Sequence, residues 1–193
     1  TDRFQLLKTW LHHEFPDHHF DLSIASADAS FRRYFRVQFE NQSFIAMDAP
    51  PQHEDCTPFI NVAQIFSTAL VNVPKILSQN LADGFLLLSD LGNTTYLHQL
   101  TVNPSLAHGL YMEAIDSLIR IQQISQENKL PHYDQALLQK EQNLFPEWYL
   151  ARHKQLTLNQ QQSDQLKSVF SAILANNLEQ PKAFVHRDFH SRN

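Results

Sequence analysis

The sequence predicts an α+β chain. Three observations carry that assignment: Phe31 to Glu40 alternates apolar and polar side chains, Phe85-Leu86-Leu87-Leu88 is an unbroken apolar run, and beyond Asn93 strand signals give way to apolar stripes at helical spacing.

Each element follows in turn. From Asp2 to Phe15, the residues Phe4, Leu7 and Leu11 recur at helical spacing with Leu6 and Trp10 widening the stripe, and Pro16 closes the helix. Alternation then places Phe31, Arg33, Phe35, Val37 and Phe39 on one face of a strand and Arg32, Tyr34, Arg36 and Gln38 on the other. Asn41-Gln42 turns into a second strand, Ser43 to Asp48, which makes an antiparallel hairpin ending at Pro50-Pro51. Thr57-Pro58 supplies a cap oxygen and a proline at the first helical position, and Phe59, Val62, Ala63, Phe66 and Leu70 continue one apolar face. Lys75 to Ser78 and Gly84 to Ser89 are strands around a turn, and the run from Phe85 to Leu88 reads as covered on both sides.

A domain boundary is expected at residue 92. Asn103-Pro104 opens a helix with Leu106, Leu110, Ala114, Leu118 and Ile121 on one stripe; Asp134 caps the next, which Pro146 should kink or break. Leu166, Val169, Phe170, Ile173, Leu174 and Leu178 form the clearest stripe, which Pro181 ends. Ala183-Phe184-Val185 reads as a short buried strand.

Composition narrows the classes. A chain of 193 residues, 42% hydrophobic and with 14 phenylalanines, folds around a core rather than remaining disordered. A formal charge of -5 gives no general pull toward nucleic acid or anionic lipid, so neither is expected as a partner. The lone cysteine, Cys56, excludes a disulfide scaffold and points to a reducing, cytoplasmic setting. No apolar run approaches the roughly 20 residues of a membrane span, and Asp2, Arg3 and Lys8 interrupt any signal-like start. The three glycines, Gly84, Gly92 and Gly109, stand too far apart to write either glycine-rich phosphate fingerprint.

The chemistry sits at the end of the chain. His186-Arg187-Asp188 followed by Asn193 fits H-R-D-x-x-x-x-N. Phosphoryl transfer to a hydroxyl needs an acceptor for the hydroxyl proton and an oxygen ligand for the phosphate-neutralising metal, and an Asp and an Asn at this spacing supply both from one loop. The residues leave two other classes open: a catalytically inactive kinase-like binding module, and a metal hydrolase holding zinc through His186 and His190.

Ser30 to Val37, Met47-Asp48-Ala49-Pro50-Pro51, Gly84 to Gly92, Phe145 to Leu150 and Val185 to Asn193 together resemble the aminoglycoside phosphotransferase-like kinases. Within that family they are most similar to the bacterial anomeric N-acetylmuramate and N-acetylglucosamine kinases of cell-wall recycling. The resemblance implies a bilobal protein-kinase-like fold: an N-terminal lobe over 1–91 and a helical C-terminal lobe over 92–193, incomplete because the chain stops after the catalytic loop. It implies ATP and Mg²⁺ and a small-molecule sugar as acceptor; the sequence leaves the oligomeric state open, with a monomer as the default expectation. Asp188 is then the catalytic base, Asn193 a magnesium ligand, Ser30 part of the turn over the ATP phosphates, and Leu88, Ser89, Asp90 and Leu91 the inter-lobe link whose backbone binds adenine.

Two departures bear on chemistry. Met47 stands where kinases carry a phosphate-binding lysine, so Arg32, Arg33 or Arg36 must supply the cation; alternation opposes Arg33 to the other two, and only one set can face the cleft. No second metal-binding aspartate follows Asn193 within the 193 residues, so this polypeptide is expected not to turn over. Elsewhere the expectation is structural: Trp148 and Tyr149 as core, Asp48, Glu54 and Asp55 as surface acids, Cys56 as a small packing residue, and His12, His13, His18 and His19 as polar positions near a helix end.

Overall fold

The computed structural model describes residues 2–26 and 31–192. Six α-helices and one five-stranded antiparallel sheet occur among them. Helix α1 (Arg3–Glu14) begins where Asp2 accepts the Phe4 N–H at 3.0 Å, and it buries Leu7, Trp10 and Leu11. Strands β1 (Asp21–Ser26), β2 (Arg33–Phe39), β3 (Gln42–Asp48), β4 (Ile76–Asn80) and β5 (Phe85–Ser89) lie in the order β1-β2-β3-β5-β4. Helix α2 (Thr57–Ser67) separates β3 from β4.

The sheet buries both faces. Phe35, Val37, Phe39, Ala46, Phe85 and Leu87 pack with Leu7, Trp10 and Leu11 of α1 on one side. Met47, Ala49, Cys56, Leu86 and Leu88 cluster on the other, with Tyr34, Ile45, Phe59 and Ile60 packed against them. β5 is therefore the doubly covered strand its apolar run predicts. Gly84 precedes it at φ +74, where the Ala49 N–H donates to its carbonyl at 2.8 Å. A Cβ on Gly84 would stand 1.9 Å from the Ala49 oxygen, so the close crossing of these two backbones requires glycine.

Several expectations are corrected. β1 has no counterpart in the sequence reading: it is an edge strand whose Ile24 is 72% exposed, so its pattern carries little apolar contrast. The cap of α2 is shifted, with Cys56 in the cap position and making no side-chain bond, while Asp55 Oδ1 accepts the Thr57 N–H at 2.8 Å. Asp48 is not a surface acid; it is fully buried. Residues 183–185 form no strand, because the Phe184 N–H donates to Ser125 Oγ at 2.7 Å instead of entering a ladder.

The chain forms two compact units, Thr1–Ile121 with Asp188–Asn193, and Gln122–Arg187. The first also holds α3 (Tyr96–Val102), the 3₁₀ turn Pro104–Leu106 and most of α4 (Ala107–Gln123). The second holds α5 (Gln135–Leu144) and α6 (Gln160–Glu179). Asp134 caps α5 through the Leu137 N–H at 2.9 Å, and Asn159 with Gln162 forms a capping box on α6. Pro146 does interrupt the helix: α5 ends at Leu144 and the backbone continues as a π-helix, Phe145–His153. No described helix is long and apolar enough to cross a membrane.

Candidate functional site

The segment after Pro181 runs without regular structure and is tied down at several points. Phe184 is buried, and its N–H is held by Ser125. Arg187 adopts φ +68, a left-handed conformation that a non-glycine residue occupies at a cost. Its side chain supplies the compensation within the same unit: Nη2 donates to Glu141 Oε1 at 2.6 Å, and the guanidinium lies 5.5 Å from the centre of the Tyr133 ring. Glu141 also accepts the Tyr133 hydroxyl, and that bond, reinforced by Arg187, holds its carboxyl below the usual range.

One residue on, Asp188 belongs to the other unit, and its side chain is 70% exposed. His190 Nε2 lies 3.0 Å from Asp188 Oδ1, and His190 Nδ1 accepts the Arg192 N–H at 3.2 Å. The Ser191 carbonyl accepts the Leu97 N–H at 2.7 Å, which fastens the end of the loop to the first turn of α3. Ser30 and Asn193, expected at the phosphate turn and the metal, lie outside the described residues.

The arginines separate as alternation requires. Arg33 pairs across the strands with Asp48, and its Nε donates to Asp48 Oδ2 at 3.1 Å. Arg3 of α1 donates to the other carboxylate oxygen at 3.0 Å and to the Asp83 carbonyl at 2.7 Å. Arg33 is thus committed to the α1 side of the sheet. On the opposite side, Arg32 Nε donates to Glu54 Oε2 at 3.1 Å. Tyr34 pairs with Met47 and Arg36 with Ile45, so these residues share the face that carries the α2 cluster.

Arg36 reaches the expected link. Its Nε and Nη2 donate to Asp90 at 2.7 and 3.1 Å, and Nη2 also donates to the Gly92 carbonyl at 3.2 Å. Asp90 further accepts Ser43 Oγ at 2.5 Å and the Gly92 N–H at 2.8 Å. The Arg36 hydrogen bond, with those of Ser43 and Gly92, lowers the Asp90 carboxyl to about 2. Leu88 is buried, and the Ser89 N–H donates to the Lys75 carbonyl at 2.9 Å while Ser89 Oγ accepts the Lys75 N–H at 2.9 Å. Leu91 is exposed. Residues 88–92 are therefore fixed to both neighbouring hairpins, and they share a compact unit with Arg32 and Asp188.

Other candidates resolve differently. Cys56 is buried among apolar side chains, and burial pushes its thiol upward, in keeping with a packing role. Trp148 is 53% exposed, with the Arg152 guanidinium 3.8 Å from its ring centre, and Tyr149 is exposed too, so neither is core. No group of three or more His, Cys, Asp or Glu among the described residues is arranged to hold a metal ion, and His190 already uses both ring nitrogens. Sequence reasoning missed Glu141, Tyr133 and Ser43, and it named His190 only as a zinc ligand of the hydrolase alternative, not as a neighbour of Asp188.

Residues 21–193 match the family model described as "Phosphotransferase enzyme family". An N-acetylmuramate/N-acetylglucosamine kinase of Pseudomonas aeruginosa is 45% identical over 99% of this chain and 59% of its own length. The protein of the same name from Pseudomonas putida is 43% identical over the same shares, and that of Neisseria meningitidis is 43% identical over 97% of this chain and 56% of its own. The chain thus spans less than two thirds of the length of these curated relatives.

Proposed function

The chain belongs to the phosphotransferase enzyme family, and from that premise we propose that the protein transfers the γ-phosphoryl group of ATP to a sugar hydroxyl. The names of the relatives make the anomeric hydroxyl of N-acetylmuramate or N-acetylglucosamine the acceptor of choice. A two-lobe division into residues 1–91 and 92–193, a cytoplasmic location and a monomeric state belong to the same reading.

The observation that carries the proposal is the setting of Asp188. Its carboxylate is 70% exposed, while Leu97 of the same unit holds the Ser191 carbonyl at the end of its loop. A fixed loop presenting an exposed carboxylate suits a group that must meet a substrate. Asp188 accepts the proton of the attacking hydroxyl as its oxygen bonds to the γ-phosphorus and ADP departs with the electrons of the broken P–O bond. The backbone of the link at Leu88, Ser89, Asp90 and Leu91, held by the bonds from Arg36 and Lys75, receives the adenine through groups other than the Ser89 N–H, which is already donated to the Lys75 carbonyl.

Arg32 is the cation we assign to the phosphates, with Ser30 beside it in sequence, in preference to Arg33. Arg33 already serves a buried carboxylate, whereas Arg32 faces the Met47 side and is paired with Glu54, whose side chain is partly exposed. Magnesium, which neutralises phosphate charge in this chemistry, prefers hard oxygen donors. Asn193, whose side-chain amide offers such an oxygen, is the residue we assign to hold it.

An ADP-release assay on the complete protein tests the proposal with N-acetylmuramate, N-acetylglucosamine, choline and an aminoglycoside as acceptors. One of the amino sugars should support turnover, and Asp188→Asn should lower it by orders of magnitude while nucleotide binding is retained. Near-normal turnover by the variant would remove Asp188 from the role of base.

A further inference from the structure

We infer that His190 is the positioning residue for the Asp188 carboxylate, a role that rests on Asp188 being the base. One hydrogen bond and one close polar contact define it. The Arg192 backbone N–H donates to His190 Nδ1 at 3.2 Å, so that nitrogen acts as an acceptor and the ring proton resides on Nε2. Nε2 then lies 3.0 Å from Asp188 Oδ1, with its proton on the side of the carboxylate. The imidazole is held from behind by main chain and in turn holds one oxygen of the carboxylate, which sets the plane in which Asp188 meets a hydroxyl.

The backbone behind the ring is itself fastened. Ser191, between His190 and Arg192, receives the Leu97 N–H at 2.7 Å, so the turn that orients the histidine is anchored to α3. On the other side of Asp188, Arg187 is held by Glu141 in its left-handed conformation. Each unit fastens its own stretch of chain, and the χ angles of Asp188 are set by side-chain contacts. The contact from His190 Nε2 restricts them.

Both side chains are substantially exposed, 47% for His190 and 70% for Asp188, so the pair contributes little to folding. Its consequence is orientation, where a small misplacement of a reacting group lowers a rate steeply. The same geometry accounts for the spacing: a histidine two residues after the aspartate reaches it across the turn only where the loop is not helical, as it is here.

The test uses the complete protein with ATP and whichever amino sugar supports turnover. His190→Ala should lower kcat about 10- to 100-fold, the range found when an orienting partner of a reactive group is removed. KM for ATP and the melting temperature should stay near wild type. His190→Gln, whose amide N–H extends to the level of Nε2, should recover part of the loss. Adding His190→Ala to Asp188→Asn should produce no further decrease, because a positioning residue has nothing left to position. If Asp188→Asn is inactive while His190→Ala retains wild-type kcat, or if the double variant falls further than Asp188→Asn, the role assigned to His190 is wrong and that of Asp188 stands. If Asp188→Asn itself retains turnover, the base assignment fails first and takes this inference with it.

Discussion

Protonating Asp90 should release the link at residues 88–92, and the size of the effect follows from its surroundings. The carboxylate is 9% exposed and accepts bonds from Arg36 at 2.7 and 3.1 Å, from Ser43 at 2.5 Å and from the Gly92 N–H at 2.8 Å. These bonds, that of Arg36 foremost, lower its pKa from 3.8 to about 2. The folded-state value lies below the unfolded one, so the unfolded chain binds the proton more readily. The stabilisation is therefore complete above 3.8 and is lost as the pH falls from there toward 2. At about 1.4 kcal/mol for each tenfold difference in proton affinity, this contribution is about 2 kcal/mol. Urea unfolding of wild type and Asp90→Asn at a series of pH values measures it. Trp10, stacked on Phe85 with ring centres 5.6 Å apart, reports on the unit concerned, and Trp148→Phe in both backgrounds removes the other tryptophan. The stability gap should be widest at neutral pH and narrow by about 2 kcal/mol as the pH falls through the acidic window. A gap that is constant from pH 6 to 2.5 would refute the assignment.

Two further outcomes concern the sheet. Replacing both Arg3 and Arg33 with methionine strands the fully buried Asp48 and should cost about 3–5 kcal/mol in denaturant unfolding. Asp48→Ala should cost less, because Arg33, 47% exposed, can turn to water; the reverse ranking would contradict the electrostatic account. Gly84→Ala forces a Cβ to within 1.9 Å of the Ala49 carbonyl at φ +74, so a loss of about 3 kcal/mol or more is expected from combined strain and overpacking, and a wild-type melting temperature would speak against it.

The fold was legible where a local pattern coincides with burial. Alternation in β2 assigns Phe35, Val37 and Phe39 to the core, and they are buried. The apolar run of β5 predicts two covered faces, and both exist. Local pattern fails where neighbours decide. β1 is an edge strand and presents Ile24 to solvent, so no periodicity marks it. Phe184 is apolar and buried, but its N–H binds a serine side chain, and a strand needs a ladder. Trp148 shows the limit of composition: an aromatic beside leucines reads as core, yet its indole lies outside and stacks under Arg152.

For the site, a sequence can state that Arg33 opposes Arg32 and Arg36, and no more. Which set meets phosphate depends on where the carboxylates fall. Asp48 lies 15 residues from Arg33 and 45 from Arg3, and Asp90 lies 54 from Arg36, separations that no window on the chain relates. Once they are placed, solvation distinguishes the three arginines. Arg33 shares its fully buried aspartate with Arg3, and Arg36 holds a carboxyl at a pKa of about 2, so both already serve carboxylates that depend on them. Arg32 is paired with a glutamate whose side chain still reaches solvent. Of the three arginines, it is the one we propose to serve a phosphate group and to return to Glu54 when that group departs.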